Sequence, residues 1–225
     1  MRNRTIVHGV CLVLLTAALG CATLASNGRE CGSSAKAVAL FDGKTFKGWE
    51  GNLEWFRIED RAIVAGTLDK QVPRNEFLCT IREYSDFELR LLAKAIGEGV
   101  NAGIQFRSHR IPNHNEVSGY QADIGGESGQ YEMVWGSLYD ESRRNTMLAI
   151  ADAKELAKVL KAGGWNKYVI RCEGNRIQMW LNGLQTVDYT ETDDSIASTG
   201  IIGLQVHGGP PSEAWYKDIT IKEIR

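Results

Sequence analysis

This chain of 225 residues carries no surplus of either charge, its formal net charge being -2. No basic stripe is available to neutralise phosphates, and that argues against a nucleic-acid partner. Cysteine is sparse and unpatterned: Cys11, Cys21, Cys31, Cys79 and Cys172 form no CxxC pair and no Cys/His zinc spacing. No HExxH spacing marks a metal site, although a divalent metal stays open as a cofactor because sandwich strands can bring distant ligands together. GGESG at 125–129 lacks the Lys-Ser/Thr ending and the long following helix of a phosphate loop. No repeat and no internal linker divides the chain, so a length suited to one large β domain or two small ones reads as one.

The apolar run Val10 to Leu19 is too short to cross a bilayer, and Arg2 and Arg4 precede it. Residues 1–20 are therefore expected to be an export signal. Ala18-Leu19-Gly20-Cys21 resembles a lipoprotein signal in which Cys21 is lipidated after cleavage, with Ala18 standing where Leu is usual. The alternative is plain cleavage nearby, for example after Ala25. Either way the protein is expected in the periplasm or cell envelope, touching a membrane only through an N-terminal lipid anchor. Residues 21–36 are small and polar and read as a flexible tether. The folded domain is expected over 37–225. Cys172 alternates with Tyr168 and Ile170, which predicts buried packing for it.

Alternation dominates the rest. Phe87, Leu89 and Leu91 alternate with Glu88 and Arg90; Tyr168, Ile170 and Cys172 share one face; Ile177, Met179 and Leu181 share the next. Asn182-Gly183 between two alternating segments is a strong hairpin signal. One helical pattern interrupts the strands, ADAKELAKVLKAGG, with Leu156, Val159 and Leu160 at helical spacing. Roughly a dozen short strands and one short surface helix predict an all-β sandwich. Its core should hold Phe87, Leu89, Ile104, Phe106, Tyr120, Ile170, Ile177 and Leu204.

The stretch from Asn101 to Arg144 is where function is expected. In GIQFRSH, Ile104 and Phe106 point one way while Gln105, Arg107 and His109 point the other; in GYQADI, Gln121 and Asp123 oppose Tyr120, Ala122 and Ile124. Solvated strand faces carry Lys, Thr and Ser. This one carries short or planar hydrogen-bonding groups and reads as the floor of a site. In GLQVHGG, Gln205 and His207 likewise face away from Leu204 and Val206.

LFDGKTFKGWEG, DFELRL, GIQFRS, SGYQADIGG, GSLYDE, WNKYVIRCEGNRIQMWLNG and GLQVHGG, in that order, resemble the 3-keto-disaccharide hydrolase family, also known as domain of unknown function 1080. The similarity runs from Leu40 to Ile224. It implies a concanavalin A-like jelly roll of two curved antiparallel sheets, and activity on glycosides whose C3 hydroxyl has been oxidised to a ketone. A separate sugar 3-dehydrogenase is then implied as the source of substrate. Many family members read GYEVQI where this chain reads GYQADI, so Gln121 replaces a carboxylate and Asp123 supplies one a pleat further on.

A C3 ketone acidifies the C2 proton, so a base can remove it, the C1 substituent can leave by elimination, and water can add to give net hydrolysis. Such a site needs a base of near-neutral pKa, a donor for the enolate oxygen and an acid for the leaving oxygen. Asp123 is the expected base, or else a turn-supporting residue before Gly125-Gly126. Arg107 is expected on the ketone oxygen, or paired with Asp123 across adjacent strands. His207 is expected as an acid or base, with an ordinary surface role as its alternative. Trp135 and Tyr139 are candidate stacking platforms, with Asp140, Glu141 and Arg143 as clamps; the bland alternative is a loop held by its own Asp–Arg pairs. Gln105, Gln121, Gln205 and Glu76 complete the expected substrate contacts. Two other functions fit the same residues: a lectin-like binding module, or a glycosidase using paired carboxylates such as Asp123 with Glu141 or Asp140.

Overall fold

The computed structural model describes residue 1 and residues 36–126 and 133–224. The expected export signal beyond Met1, Cys21 and the tether up to residue 35 lie outside the described residues. The compact unit spans Ser34–Arg225. Its strands are β1 (Val38–Ala39), β2 (Trp49–Glu50), β3 (Phe56–Glu59), β4 (Ala62–Thr67), β5 (Glu76–Thr80), β6 (Phe87–Gly97), β7 (Asn101–Arg110), β8 (Val117–Gly125), β9 (Leu138–Glu141) and β10 (Thr146–Ala149). After helix α1 (Ala153–Val159) follow β11 (Asn166–Glu173), β12 (Arg176–Leu181), β13 (Leu184–Thr190), β14 (Ile201–Val206) and β15 (Ser212–Glu223).

Two antiparallel sheets result. One runs β13-β12-β11-β6-β15-β4-β3, with β1 added on β15; the other runs β10-β9-β8-β7-β14-β5-β2. Burial follows the alternation in the sequence: along β6, Phe87, Leu89, Leu91 and Ala93 turn inward while the residues between them do not. All eight side chains expected between the sheets are buried there. Each contributes on the order of 1.5–3 kcal/mol through the apolar surface it removes from water.

Local signals set the turns. Asn182 and Gly183 both take positive φ, 51° and 92°, as a two-residue I′ turn requires, and they join β12 to β13. The helix begins where Asp152 accepts hydrogen bonds from the backbone N–H groups of Lys154 and Glu155, and it buries only Leu156. It is seven residues long, as suits a surface connection.

Two tyrosines of the eight-stranded sheet cross the core and hold the other sheet by its backbone. Tyr168 on β11 donates to the carbonyl of Asp123 at 2.7 Å, and its oxygen accepts from the N–H of Gly136. Tyr216 on β15 donates to the carbonyl of Gln205 at 2.8 Å, with the carbonyl of Gly103 at 3.2 Å. Burying a hydroxyl without a partner costs free energy, so these bonds fix both the tyrosines and the strands they reach.

Candidate functional site

The outer face of the seven-stranded sheet, turned away from the core, carries a polar array. Gln205 on β14, Gly103 on β7 and Asp123 on β8 lie in one cross-strand row; Gly203, Gln105, Gln121 and Tyr139 lie in the next. The side chains link in one direction. Ser108 Oγ donates to Gln105 Oε1 at 2.9 Å, Gln105 Nε2 donates to Gln121 Oε1, and Gln121 Nε2 donates to Asp123 Oδ1 at 2.6 Å. Gly103 leaves room for this chain, because a Cβ there would sit 2.3 Å from Gln121 Cδ. A glycine inside a strand commonly marks such a close approach.

Above this floor lies a cleft of about 130 Å³ lined by Asn101, Gln121, Asp123, Tyr139, Glu141, Met147 and His207. Asp123 is only 4% exposed. Burial pushes its carboxyl up to about 8; the Gln121 hydrogen bond opposes the rise and the charge of Glu141 adds to it. Glu141, on β9, is pushed up to about 7 by burial and by the charge of Glu116, against hydrogen bonds from Gln205 and Ser142. Gln205 Nε2 donates to Glu141 Oε2 at 3.0 Å, while Gln205 Oε1 is buried with no partner among the described residues. Burial also raises Tyr139, helped by the charges of Glu141, Asp123 and Asp140. His207 Nδ1 lies 2.7 Å from the carbonyl of Gly208, which leaves Nε2 as the other ring nitrogen.

Of the residues singled out from sequence, the fold gathers Asp123, His207, Gln121, Tyr139 and Glu141 around this cleft, with Gln105 in its floor and Gln205 bonded to Glu141. Five others lie elsewhere. Arg107 sits at a β-bulge, with φ 47° and a register shift between Phe106 and His109, so the expected alternation reverses there. Ser108 takes the outer position instead. The Arg107 guanidinium, 2% exposed, binds the carbonyls of Ser85 at 2.9 Å and Gly174 at 2.7 Å and the carboxylate of Asp86 at 2.8 Å. It pins the sandwich and does not pair with Asp123. Trp135 is a core side chain stacked on Tyr168, with ring centroids 6.3 Å apart.

Asp140 is fully buried and bonds Arg143 at 2.8 Å and Arg144. Arg143 lies over the Tyr120 ring, and Arg144 continues to Glu191, which accepts from the Tyr120 hydroxyl. This segment is thus held by its own Asp–Arg pairs, the bland alternative for Asp140 and Arg143. Glu76 alternates with Phe77, away from the Gln205 row, and pairs with Arg74 and Asn52. Asn101 and Met147 also line the cleft and Ser108 joins its floor, and none of the three was marked by a local pattern in the sequence. Among the described residues no group of three His, Cys, Asp or Glu side chains is gathered as a metal site would gather them. Cys79 and Cys172 are free and buried.

Two antiparallel sheets stacked on one core, with acids set on an outer face, define a concanavalin A-like jelly roll. Solved structures agree in fold. A provisionally assigned glycosyl hydrolase from Parabacteroides distasonis matches with a TM-score of 0.63 at 19% identity, over 84% of this chain and 94% of that one. The carbohydrate binding module CBM66 from Bacillus subtilis matches at 0.57 and 14% identity, over 78% of this chain and 96% of that one. The Bacillus licheniformis beta-glucanase matches at 0.53 and 9% identity, over 86% and 99%. The model of the 3-keto-alpha-glucoside-1,2-lyase-like domain matches residues 36–222, and the chain belongs to that family. It is a carbohydrate-active protein. No curated protein matches the chain.

Proposed function

We propose that the protein cleaves 3-keto-glycosides by elimination followed by hydration, with Asp123 and Glu141 as its proton-transfer pair. The observation that carries this is the pair itself: two buried carboxyls in one cleft, both raised toward neutrality, in a chain of this family. Burial raises both carboxyls, and the charge of Glu141 raises Asp123 further, so Glu141 gives up its proton first and Asp123 keeps its own to higher pH. A base and an acid then coexist at the pH where each is most effective.

Glu141 takes the C2 proton, and the C–H electron pair forms an enolate with the C3 oxygen. The enolate collapses to restore the ketone, the C1–C2 double bond forms, and the C1–oxygen bond breaks. Asp123 gives its proton to the departing oxygen. Water then adds at C1, losing a proton to Asp123, while Glu141, its proton exchanged with solvent, delivers one to C2. Asn101, Tyr139 and His207 supply polar atoms around the C3 oxygen. Gln205 can follow the proton: it donates Nε2 to ionised Glu141, and through the unpartnered Oε1 it accepts from the protonated form.

A lectin-like module would keep the polar floor but has no use for two carboxyls of raised pKa, and that observation favours the enzyme. Envelope localisation through the N-terminal segment, and a dehydrogenase that makes the ketone, belong to the same proposal. Incubation with 3-keto-trehalose in D₂O, followed by NMR, tests it. Release of 3-keto-glucose carrying deuterium at C2, with trehalose untouched, is expected. Binding of either sugar without product would move the assignment to the binding module.

A further inference from the structure

The end of the β7–β8 hairpin lies against part of the outer face of the seven-stranded sheet, and a groove of about 700 Å³ stays open between it and β2 and β5. The turn between β7 and β8, residues 111–116, folds back over β14, β5 and β2. Arg110, at the end of β7, donates to Glu50 on β2 from Nε to Oε1 at 2.6 Å and from Nη2 to the carbonyl at 2.8 Å. Two strands, β14 and β5, lie between β7 and β2 in the sheet, so the end of the hairpin, past the bulge in β7, bends over both to make this contact. Farther along, Asn115 Nδ2 donates to the carbonyl of Asn75 at 2.8 Å, and Asn75 Oδ1 accepts from the N–H of Gly208 at 2.9 Å. On the opposite flank Ser142 Oγ donates to Glu116 Oε2 at 3.3 Å. Beneath the turn Phe77, Cys79, Val117 and Ile201 form a second apolar cluster apart from the main core. The turn is therefore seated on an apolar base and tied at both sides.

The cleft over Asp123 lies on the β7–β8–β9 side of this cover and measures about 130 Å³. Clefts that enclose a whole small ligand run to roughly 300–1,000 Å³, so this one takes a single sugar ring at most. A ring inside a longer chain needs a way out in both directions. The turn borders the cleft through Asn75, whose Oδ1 accepts from Gly208 beside His207, and through Glu116, which accepts from Ser142 beside Glu141, so a chain leaving the cleft on that side meets it.

We infer that the site acts on the terminal sugar unit of its glycoside and rejects internal units, and that the tied turn at 111–116, through Arg110 and Asn115, sets this preference. The inference deepens the proposed activity and rests on it.

Two oligoglucosides test it, one carrying the 3-keto group on its terminal ring and one on an inner ring. The native protein is expected to cleave the terminal one faster by about tenfold or more, the discrimination that roughly 1.4 kcal/mol gives. The variant Arg110→Ala with Asn115→Ala, and a second in which residues 111–116 are replaced by Asn-Gly, should both gain turnover of the inner substrate and reduce the ratio to about threefold or less. Equal native rates, or an unchanged ratio in the Asn-Gly variant, would overturn the inference. If neither substrate nor 3-keto-trehalose is cleaved, the proposed chemistry fails on its own. Saturation-transfer NMR with cellotetraose then decides the geometry: saturation of the terminal ring alone supports end recognition, and equal saturation of all rings, or none, overturns it.

Discussion

Replacing Asp123 by Asn should flatten the dependence of stability on pH. In the folded protein the carboxyl is raised from 3.8 to about 8 by burial. A group raised on folding contributes its full stability below its unfolded pKa and loses it as pH climbs to the folded value. Between pH 5 and 7 the folded state holds this proton and the unfolded state has released it. Stability therefore falls by about 1.4 kcal/mol per pH unit, or about 3 kcal/mol across that window, from Asp123 alone. Glu141, raised from 4.5 to about 7, adds a slope of the same sign in both proteins. The Asn variant keeps only the Glu141 slope, whatever constant offset the amide introduces. Urea unfolding at pH 5, 6 and 7 measures both slopes. Parallel curves would mean that Asp123 is ionised in the folded cleft, and the acid assigned to the leaving oxygen would be lost.

The pH–rate profile should be a narrow bell, rising as Glu141 ionises near 7 and falling as Asp123 ionises near 8, and Asp123→Asn should lower its height about 100-fold or more. A profile without an alkaline limb would contradict this. Arg107→Met should cost roughly 3 kcal/mol in urea unfolding, because it strips a buried partner from Asp86 and two carbonyls, yet leave turnover per folded molecule within about twofold. A catalytic Arg107 would show the reverse. Gly103→Ala should displace Gln121 and cut turnover about tenfold or more while the protein stays folded, as circular dichroism and kinetics together would report.

The two-sheet fold was legible because most strands keep a strict period of two, so the inward faces of β6, β7, β8, β11, β12 and β14 could be read directly. Asp123, Gln121, Gln105, Gln205 and His207 were legible for the same reason. Arg107 was not, because one extra residue in β7 inverts every later side chain. Its signs were Gly119 and Gly200. A Cβ on Gly119 would lie 2.4 Å from Ser108 Oγ, and one on Gly200 would lie 2.5 Å from the Ser108 carbonyl. Those contacts are long-range and invisible in a window of neighbours. SLYDE failed differently: read as a loop, it gave Asp140 and Glu141 one role, whereas β9 sends Tyr139 and Glu141 to the cleft and Asp140 to the opposite side.

The tyrosines that cross the core blur the usual division between scaffold and site. Tyr168 and Tyr216 belong by position to the sheet that carries none of the cleft residues, yet their hydroxyls set the carbonyls of Asp123 and Gln205. Drift at either position would read as harmless core variation, tyrosine to phenylalanine at constant volume, while loosening the backbone on which the acid is mounted. Selection on the reaction thus extends to residues of the far sheet. Two homologues could agree at every lining residue and still differ in rate because of a single oxygen on its opposite wall.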